Sequence, residues 1–226
     1  SDESMRRTAR TSLAVRSWLE KEKLTAFSFN FLAVDKASGL PTVPFLEASK
    51  AMGRGIGYAG EGDVLTAGLV GAIGSVIPEV SFTEMFCPDW AGEKIFLSHM
   101  GEMNIKLIHG KPLLKERPFK FTDALPPVAA IGCFKPGPAV FVNLAPVADD
   151  HFRLIIAPCR VADTSPDDKF TDSVRGWITP DLPVAQFLEE YSMAGGTHHA
   201  ALVYGDVTEL LENFARIMGW DPIIIW

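Results

Sequence analysis

The first 78 residues show the hydrophobic patterns of helices and of one buried strand. Apolar positions recur every three or four residues over residues 4–23, which contain no Gly or Pro, and this spacing predicts a helix. Residues 25–34 (TAFSFNFLAV) form a nearly continuous apolar run, as expected for a strand buried on both faces of a parallel sheet. Another helix is expected between Asp63, which can cap it, and Pro78. This part of the chain therefore predicts an α/β arrangement of helix, buried strand and helix.

Beyond residue 78 the pattern changes to short alternating or apolar segments separated by turns. The segments are SFTEMF, KIFLSHM, KFTDAL, VAAIGCF, AVFVNL, FRLIIAP and HHAALVY. Such a series predicts an antiparallel, barrel-like sheet. The spacing of Asp206 and Glu209 is that of a capping box, which predicts a C-terminal helix closed by Gly219. We therefore expect two domains, an α/β part over residues 1–78 and a β-barrel-like domain over residues 79–226.

The composition limits the class of function. The chain has 226 residues, a net charge of −7 and a pI near 5.2. This charge argues against nucleic acid or an anionic membrane as partner, because no basic excess is available to neutralise phosphates. No apolar run approaches the roughly 20 residues of a membrane span, and the N-terminus does not resemble a signal peptide, so we expect a cytoplasmic protein with a small-molecule partner. The cysteines, without CxxC spacing, are interpreted as buried free thiols: Cys87, Cys133 and Cys159.

A predicted hairpin between SFTEMF and KIFLSHM brings a carboxylate and an imidazole together. A turn at Ala91-Gly92 would place Glu84 opposite His99, on a face that is otherwise apolar. The pair can ligate a metal ion, or it can form a charge-assisted hydrogen bond that holds the hairpin. Both interpretations remain open at this point, and a slip of one residue in the register would put the two side chains on opposite faces.

Two further segments offer candidate ligands. Glu61 lies between glycines directly before the helix that starts after Asp63, where it can point into a cleft or remain a solvated acid of the first turn. Asp63 is explained by its capping role. His198 and His199 are adjacent, so in a strand they project to opposite faces, and one ion would take only one of them. The alternative is a chance pair, with one imidazole in core hydrogen bonds and the other in water.

Taken together, the segments GYAGEGD, FTEMF, LSHMGE, PGPAVFVNL, FRLIIAP and AGGTHH resemble the L-arabinose isomerases and the related L-fucose isomerase-like proteins. The resemblance implies the C-terminal part of a central α/β domain followed by a metal-binding C-terminal domain. It also implies that Glu61, Glu84, His99 and His199 bind a divalent ion, most often Mn²⁺. Glu61 and Glu84 are then the candidate proton carriers, and His198 lines the substrate pocket.

The activity implied by the resemblance is metal-dependent conversion of an aldose into a ketose. A proton moves from C2 to C1 through an enediol, although a metal-assisted hydride shift would use the same ligands. The resemblance further implies a homo-oligomer whose subunits and N-terminal domains complete the site, so the chain is expected to be a fragment with weak or no activity alone. The sugar stays open, because Met-Phe-Cys-Pro follows Glu84 where arabinose isomerases tend to carry an acid and a tyrosine.

Two other classes of function remain as alternatives. The chain can be a non-catalytic domain that binds sugar or holds an oligomer together, with its acids and imidazoles in internal hydrogen bonds. It can also be a non-haem iron oxygenase with a facial triad, although Glu61 is one ligand more than that triad requires. Metal content separates the first alternative from an isomerase.

Overall fold

The computed structural model describes residues 1–35, 37–163 and 169–226. The helices are α1 (Asp2–Lys21), α2 (Phe45–Met52), α3 (Val64–Gly74), α4 (Val184–Met193) and α5 (Thr208–Met218). The strands are β1 (Ala26–Ser28), β2 (Gly57–Ala59), β3 (Val80–Asp89), β4 (Lys94–His99), β5 (Leu113–Glu116), β6 (Val128–Ile131), β7 (Gly137–Pro146), β8 (Phe152–Val161), β9 (Val174–Pro180), β10 (His199–Tyr204) and β11 (Asp221–Ile224). Over these ranges, no helix combines the length and the hydropathy that crossing a membrane requires.

The first part of the chain has the predicted order of helix, strand and helix. β1 pairs in parallel with β2, and α3 begins shortly after β2. The predicted strand over residues 25–34 is wrong in length, because β1 ends at Ser28 and a 3-10 turn follows at Phe31–Ala33. The side chain of Asn30 causes the break, since its Oδ1 accepts a hydrogen bond from the backbone N–H of Leu32.

The second part is a closed antiparallel barrel, as the segment pattern predicts. Six strands pair around it in the order β8, β7, β10, β3, β4 and β9, and β9 returns to β8. β11 lies outside this circle and pairs in parallel with β8. The predicted strand KFTDAL is wrong, because residues 120–125 form turns and irregular backbone. Barrel closure leaves the six strands without a free edge.

Alternate residues of the barrel strands belong to two hydrophobic cores. On β7, Phe141 lies in a core that fills the barrel, while its neighbours Val140 and Val142 lie in a second core. The second core joins the outer face of β3, β7, β8 and β10 to α3 and α5. Successive side chains of a strand point to opposite faces of the sheet, so each strand contributes to both cores. The α/β part therefore packs directly on the barrel wall.

The hairpin β3–β4 has the expected register only near its turn. Cys87 pairs with Phe96 and Asp89 pairs with Lys94, in agreement with the predicted pairing. A bulge between Met85 and Cys87 then shifts the register by one residue, so that Glu84 pairs with Ser98 and not with His99. The predicted direct pairing of Glu84 and His99 is therefore wrong.

The C-terminal helix lies where the sequence predicts it, but its start differs. The residue that caps α5 is Val207, and no side chain caps the helix, so the predicted capping box is not formed. Gly219 closes the helix in the left-handed conformation, with φ of 72°, as expected. The helix α4, which follows Pro183, was not predicted.

Candidate metal centre

Three of the predicted ligands meet where the α/β part contacts the barrel. One potential ligand atom from each of Glu61, His99 and His199 lies within 4.8 Å of the other two. Glu61 is in the loop between β2 and α3, His99 is the last residue of β4, and His199 is the first residue of β10. The three side chains thus come from segments far apart in sequence, which only the folded barrel brings together.

The loop that carries Glu61 has an unusual backbone. Glu61 adopts a left-handed conformation with φ of 61°, and Gly62 follows with φ of 83°. Such a conformation is uncommon for a residue other than Gly, Asn or Asp, and residues of this kind are enriched at functional sites as well as in turns. It places Oε2 of Glu61 at 3.7 Å from Nε2 of His199, while the Glu61 side chain stays 47% exposed. The carboxylate is therefore accessible both to the imidazole and to a ligand from solvent.

The ring of His99 is buried among aromatic groups and a glycine. Its centroid lies 4.8 Å from that of Phe82, 5.3 Å from that of His199 and 6.3 Å from that of Phe31. Gly60 covers the remaining side, and a Cβ atom there would lie only 2.4 Å from Cε1 of His99. The close approach requires glycine at this position, because ordinary contact between carbon atoms begins near 3.5 Å.

A buried carboxylate fixes the orientation of His99. Oε2 of Glu102 lies 2.9 Å from Nδ1 of His99 and accepts the backbone N–H of Gly101 at 2.7 Å. Oε1 of Glu102 accepts the hydroxyl of Tyr58 at 2.7 Å. Burial raises the pKa of Glu102, but the interaction with His99 and the hydrogen bonds from Tyr58 and Gly101 together outweigh burial and leave the pKa below its ordinary value. With an acceptor at Nδ1, the Nε2 atom of His99 is the ring nitrogen that could ligate an ion.

His199 has the same arrangement with a different acid. Its Nδ1 lies 2.9 Å from Oδ2 of Asp63, whose Oδ1 caps α3 by accepting the N–H of Thr66 at 2.9 Å. Burial raises the pKa of Asp63, but the hydrogen bonds with His199 and Thr66 outweigh it and lower the pKa to about 2. Among the described residues, no hydrogen-bond partner reaches Nε2 of His199, although this atom is buried. A buried, unpartnered nitrogen of this kind calls for a ligand.

Glu84 and His198, the other predicted site residues, border the three ligands. Glu84 pairs with His199 across β3 and β10 and so shares its face. Burial lowers the pKa of His99, but the interaction with Glu102, with smaller contributions from the charges of Glu84 and Glu61, raises the pKa above its ordinary value. Among the residues the structure describes, however, the group of close ligand atoms does not include Glu84. His198 is exposed, and its ring centroid lies 4.4 Å from that of His199.

Sequence reasoning missed the residues that support the two histidines. The sequence predicts only a helix cap at Asp63 and no role for Glu102, which lies three residues after His99 in the LSHMGE segment. The available signal was chemical, since a ligating imidazole needs an acceptor for its second N–H. The role of Asn143 cannot be predicted from any motif in the sequence. Its buried amide donates hydrogen bonds to the carbonyl of His199 and to Oγ1 of Thr197, each at 2.7 Å.

The donor set suits a divalent metal ion. Two imidazoles oriented by Asp63 and Glu102, together with the Glu61 carboxylate, match the nitrogen and oxygen ligands of borderline and hard cations. The unpartnered Nε2 of His199 supports this interpretation independently of the cluster itself. Glu84 can add a second carboxylate from the adjoining strand.

Comparison with known proteins identifies the family. The model of the L-arabinose isomerase C-terminal domain matches residues 79–221, and that of the L-arabinose isomerase central domain matches residues 1–77. The chain belongs to the L-arabinose isomerase family. The L-arabinose isomerases of Nocardioides sp. and Herpetosiphon aurantiacus are each 30% identical to it, over 231 and 230 residues. L-arabinose isomerase 1 of Bacillus licheniformis is 28% identical over 238 residues.

The match to these L-arabinose isomerases covers nearly all of this chain but only part of each relative. It extends over 99% of the chain for the Nocardioides and Bacillus proteins and 98% for the Herpetosiphon protein. In each case it covers 45% of the relative. The chain thus spans about half the length of the curated relatives it matches, and it does so across both family domains.

Proposed function

We propose that the protein is a metal-dependent aldose–ketose isomerase whose ion is held by Glu61, Glu84, His99 and His199. The observation that carries the proposal is the buried Nε2 of His199, which has no hydrogen-bond partner among the described residues and faces Glu61 at 3.7 Å. Family membership supports the reaction class, and the resemblance of the site segments to arabinose and fucose isomerases supports Mn²⁺ as the ion.

The proposed reaction moves a proton from C2 to C1 of the sugar through an enediol. A divalent ion held by these four residues would supply Lewis-acid stabilisation of the negative charge that develops on the sugar during the reaction. Proton transfer itself needs a base near both carbons, and we propose the carboxylates of Glu61 and Glu84 as the candidates. Glu61 is accessible to solvent and lies on a backbone held in one strained conformation, which suits a group that must meet the substrate at a fixed position.

His198 is proposed to bind a sugar hydroxyl, because its exposed ring adjoins that of His199. We further propose that the chain acts as part of a cytoplasmic homo-oligomer, with its domains dividing at residue 78. Other domains and neighbouring subunits would then cover the sugar. Catalysis depends on such cover, since positioning errors of about 1 Å can cost on the order of a hundredfold in rate.

The proposal is tested by metal binding and by isotope incorporation. Purified protein treated with chelator should regain one Mn²⁺ per chain, and ketose formation from aldopentoses and deoxyhexoses in D₂O should introduce deuterium at C1. Ketose without deuterium would show that the hydrogen moves from C2 to C1 without exchange with solvent, as in a hydride shift. Sugar binding that needs no metal, without turnover, would instead support a non-catalytic sugar-binding domain.

Glu61→Gln and Glu84→Gln separate the two candidate proton carriers. Each variant keeps the size of the side chain but removes its capacity to accept a proton. Because both glutamates are also proposed ligands, turnover is compared at Mn²⁺ concentrations that saturate each variant. The residue that carries the proton should then lose turnover while Mn²⁺ and sugar binding persist. A variant that retains full turnover would remove that glutamate from the proposed mechanism.

A further inference from the structure

Tyr58 donates a hydrogen bond to Glu102, which is in turn hydrogen-bonded to the proposed metal ligand His99. The tyrosine, the glutamate and His99 form a continuous hydrogen-bonded chain inside the protein, with Tyr58 and Glu102 each 1% exposed and His99 5% exposed. Tyr58 lies on β2, one residue before the Ala59-Gly60 segment that leads to Glu61. It therefore belongs to the α/β part, while His99 and Glu102 belong to the barrel.

The hydroxyl of Tyr58 has a specific partner in this chain. The two oxygens of Glu102 have different partners. Oε2 is hydrogen-bonded to Nδ1 of His99 and to the backbone N–H of Gly101, whereas Oε1 accepts a hydrogen bond only from Tyr58 among the residues described. Burial, followed by the charge of Glu102, raises the pKa of Tyr58 well above its ordinary value, so the hydroxyl remains a donor. Without this donor, the buried carboxylate oxygen would have no hydrogen bond to compensate for its loss of hydration, which would destabilise the folded protein.

We propose that Tyr58 is a positioning residue for His99. Its hydroxyl holds the Glu102 carboxylate in the orientation that accepts a hydrogen bond from Nδ1–H of His99. Nε2 of His99 is then free to bind the ion. The inference rests on the proposed function. Glu102 meets His99 through one oxygen, and a rotation of the carboxylate would move that oxygen away from the ring. The Tyr58 hydroxyl opposes this rotation from the other oxygen.

The surroundings of Tyr58 allow the hydroxyl to be tested alone. Its ring packs against Phe27, with centroids 5.1 Å apart, and against Phe82, with centroids 5.9 Å apart. A phenyl ring at position 58 keeps these contacts. Tyr58→Phe therefore removes one hydrogen bond and leaves the aromatic packing that borders His99 in place.

Tyr204→Phe is the matched control. The Tyr204 hydroxyl also donates a single hydrogen bond, to the carbonyl of Lys135 at 2.6 Å, but Tyr204 lies at the opposite end of β10 from His199. Both variants lose one tyrosine hydroxyl and one donor. Only Tyr58→Phe should affect the ion.

The experiment measures Mn²⁺ affinity by isothermal titration and the tautomer of His99 by ¹⁵N NMR of the metal-free protein. Tyr58→Phe should weaken Mn²⁺ binding by ~10-fold or more, within the range for loss of an outer-shell partner, and reduce the Nδ1–H tautomer of His99. Tyr204→Phe should change neither quantity. Because Tyr58 acts through Glu102, adding Tyr58→Phe to Glu102→Gln should weaken binding little beyond Glu102→Gln alone.

The outcomes separate this inference from the proposed function. If the unaltered protein binds no Mn²⁺, the proposed function fails, and the tautomer of His99 in Tyr58→Phe still decides the role of Tyr58. Equal Mn²⁺ affinity and an equal His99 tautomer in Tyr58→Phe and the unaltered protein would overturn the inference. So would a fully additive loss in the double variant, because it would show that Tyr58 does not act through Glu102.

Discussion

Replacing Gly60 with alanine should displace His99 without directly altering any ligand. The new Cβ would lie 2.4 Å from Cε1 and 3.1 Å from Nε2 of His99, so the ring would have to move by about 1 Å to reach ordinary contact distance. The backbone of Gly60 does not have a positive φ, so alanine is compatible with its conformation and only the side chain is at issue.

The groups around the imidazole of His99 leave it little space to move away from a new Cβ atom at position 60. Phe82 and His199 face the ring, and Nδ1 is held by Glu102, so a shift must break a hydrogen bond or push into a packed aromatic side chain. Overpacking of this kind costs about 1–3 kcal/mol. A ligand must also lie within about 0.5 Å of its productive position. We therefore expect Gly60→Ala to reduce Mn²⁺ affinity by at least ~10-fold.

Urea denaturation of the metal-free protein and isothermal titration with Mn²⁺ measure the two effects separately. Gly68→Ala is the control, because its Cβ would meet no atom within 4 Å and the residue lies exposed in α3. That variant should gain up to about 1 kcal/mol of stability from helix propensity and bind Mn²⁺ normally. Unchanged stability and unchanged affinity in Gly60→Ala would refute the claim that Gly60 sets the position of His99.

Three further predictions concern other contacts. Asp63→Asn should weaken either metal binding or the α3 helix. The carboxylate uses one oxygen for the imidazole of His199 and the other for the helix cap, and an amide has only one acceptor oxygen. Titration with Mn²⁺ and circular dichroism distinguish these results. Gly57→Ala should destabilise the fold by about 3 kcal/mol in urea, since its Cβ would lie 2.3 Å from backbone atoms of α3; stability equal to that of the unaltered protein would contradict this. In the folded protein iodoacetamide should modify Cys87, which is exposed, and spare Cys159, because burial raises the pKa of its thiol to about 12; mass spectrometry of peptides reads both sites.

Local chemistry explains which parts of the fold could be predicted from sequence. Asp63 caps α3 and Gly219 closes α5 as expected, because each acts on backbone groups within a few residues. The capping box at Asp206 failed, since Val207 starts the helix without a side-chain cap. The interpretation of Cys87 as buried was also wrong, and the residue is exposed just after the bulge in β3.

Long-range geometry explains what the sequence could not determine at the site. The bulge after Met85 adds one residue to β3 and places Glu84 opposite Ser98. The alternation of apolar and polar residues does not predict where a bulge occurs. His99 nevertheless comes close to His199, since it is the last residue of its strand and Gly60 and Glu102 hold its ring. These contacts join segments from both parts of the chain and appear only in the folded protein.

The central claim is that one divalent ion binds at Glu61, Glu84, His99 and His199. Thermal unfolding with increasing Mn²⁺ tests it most directly, because an ion that binds only the folded state stabilises it by about 2.7 kcal/mol at a hundredfold excess over Kd. We predict that this stabilisation is present in the unaltered protein and in the control His109→Ala, whose residue is exposed and outside the cluster, and absent in His199→Ala. Equal stabilisation of His199→Ala, or none in the unaltered protein, would contradict the account.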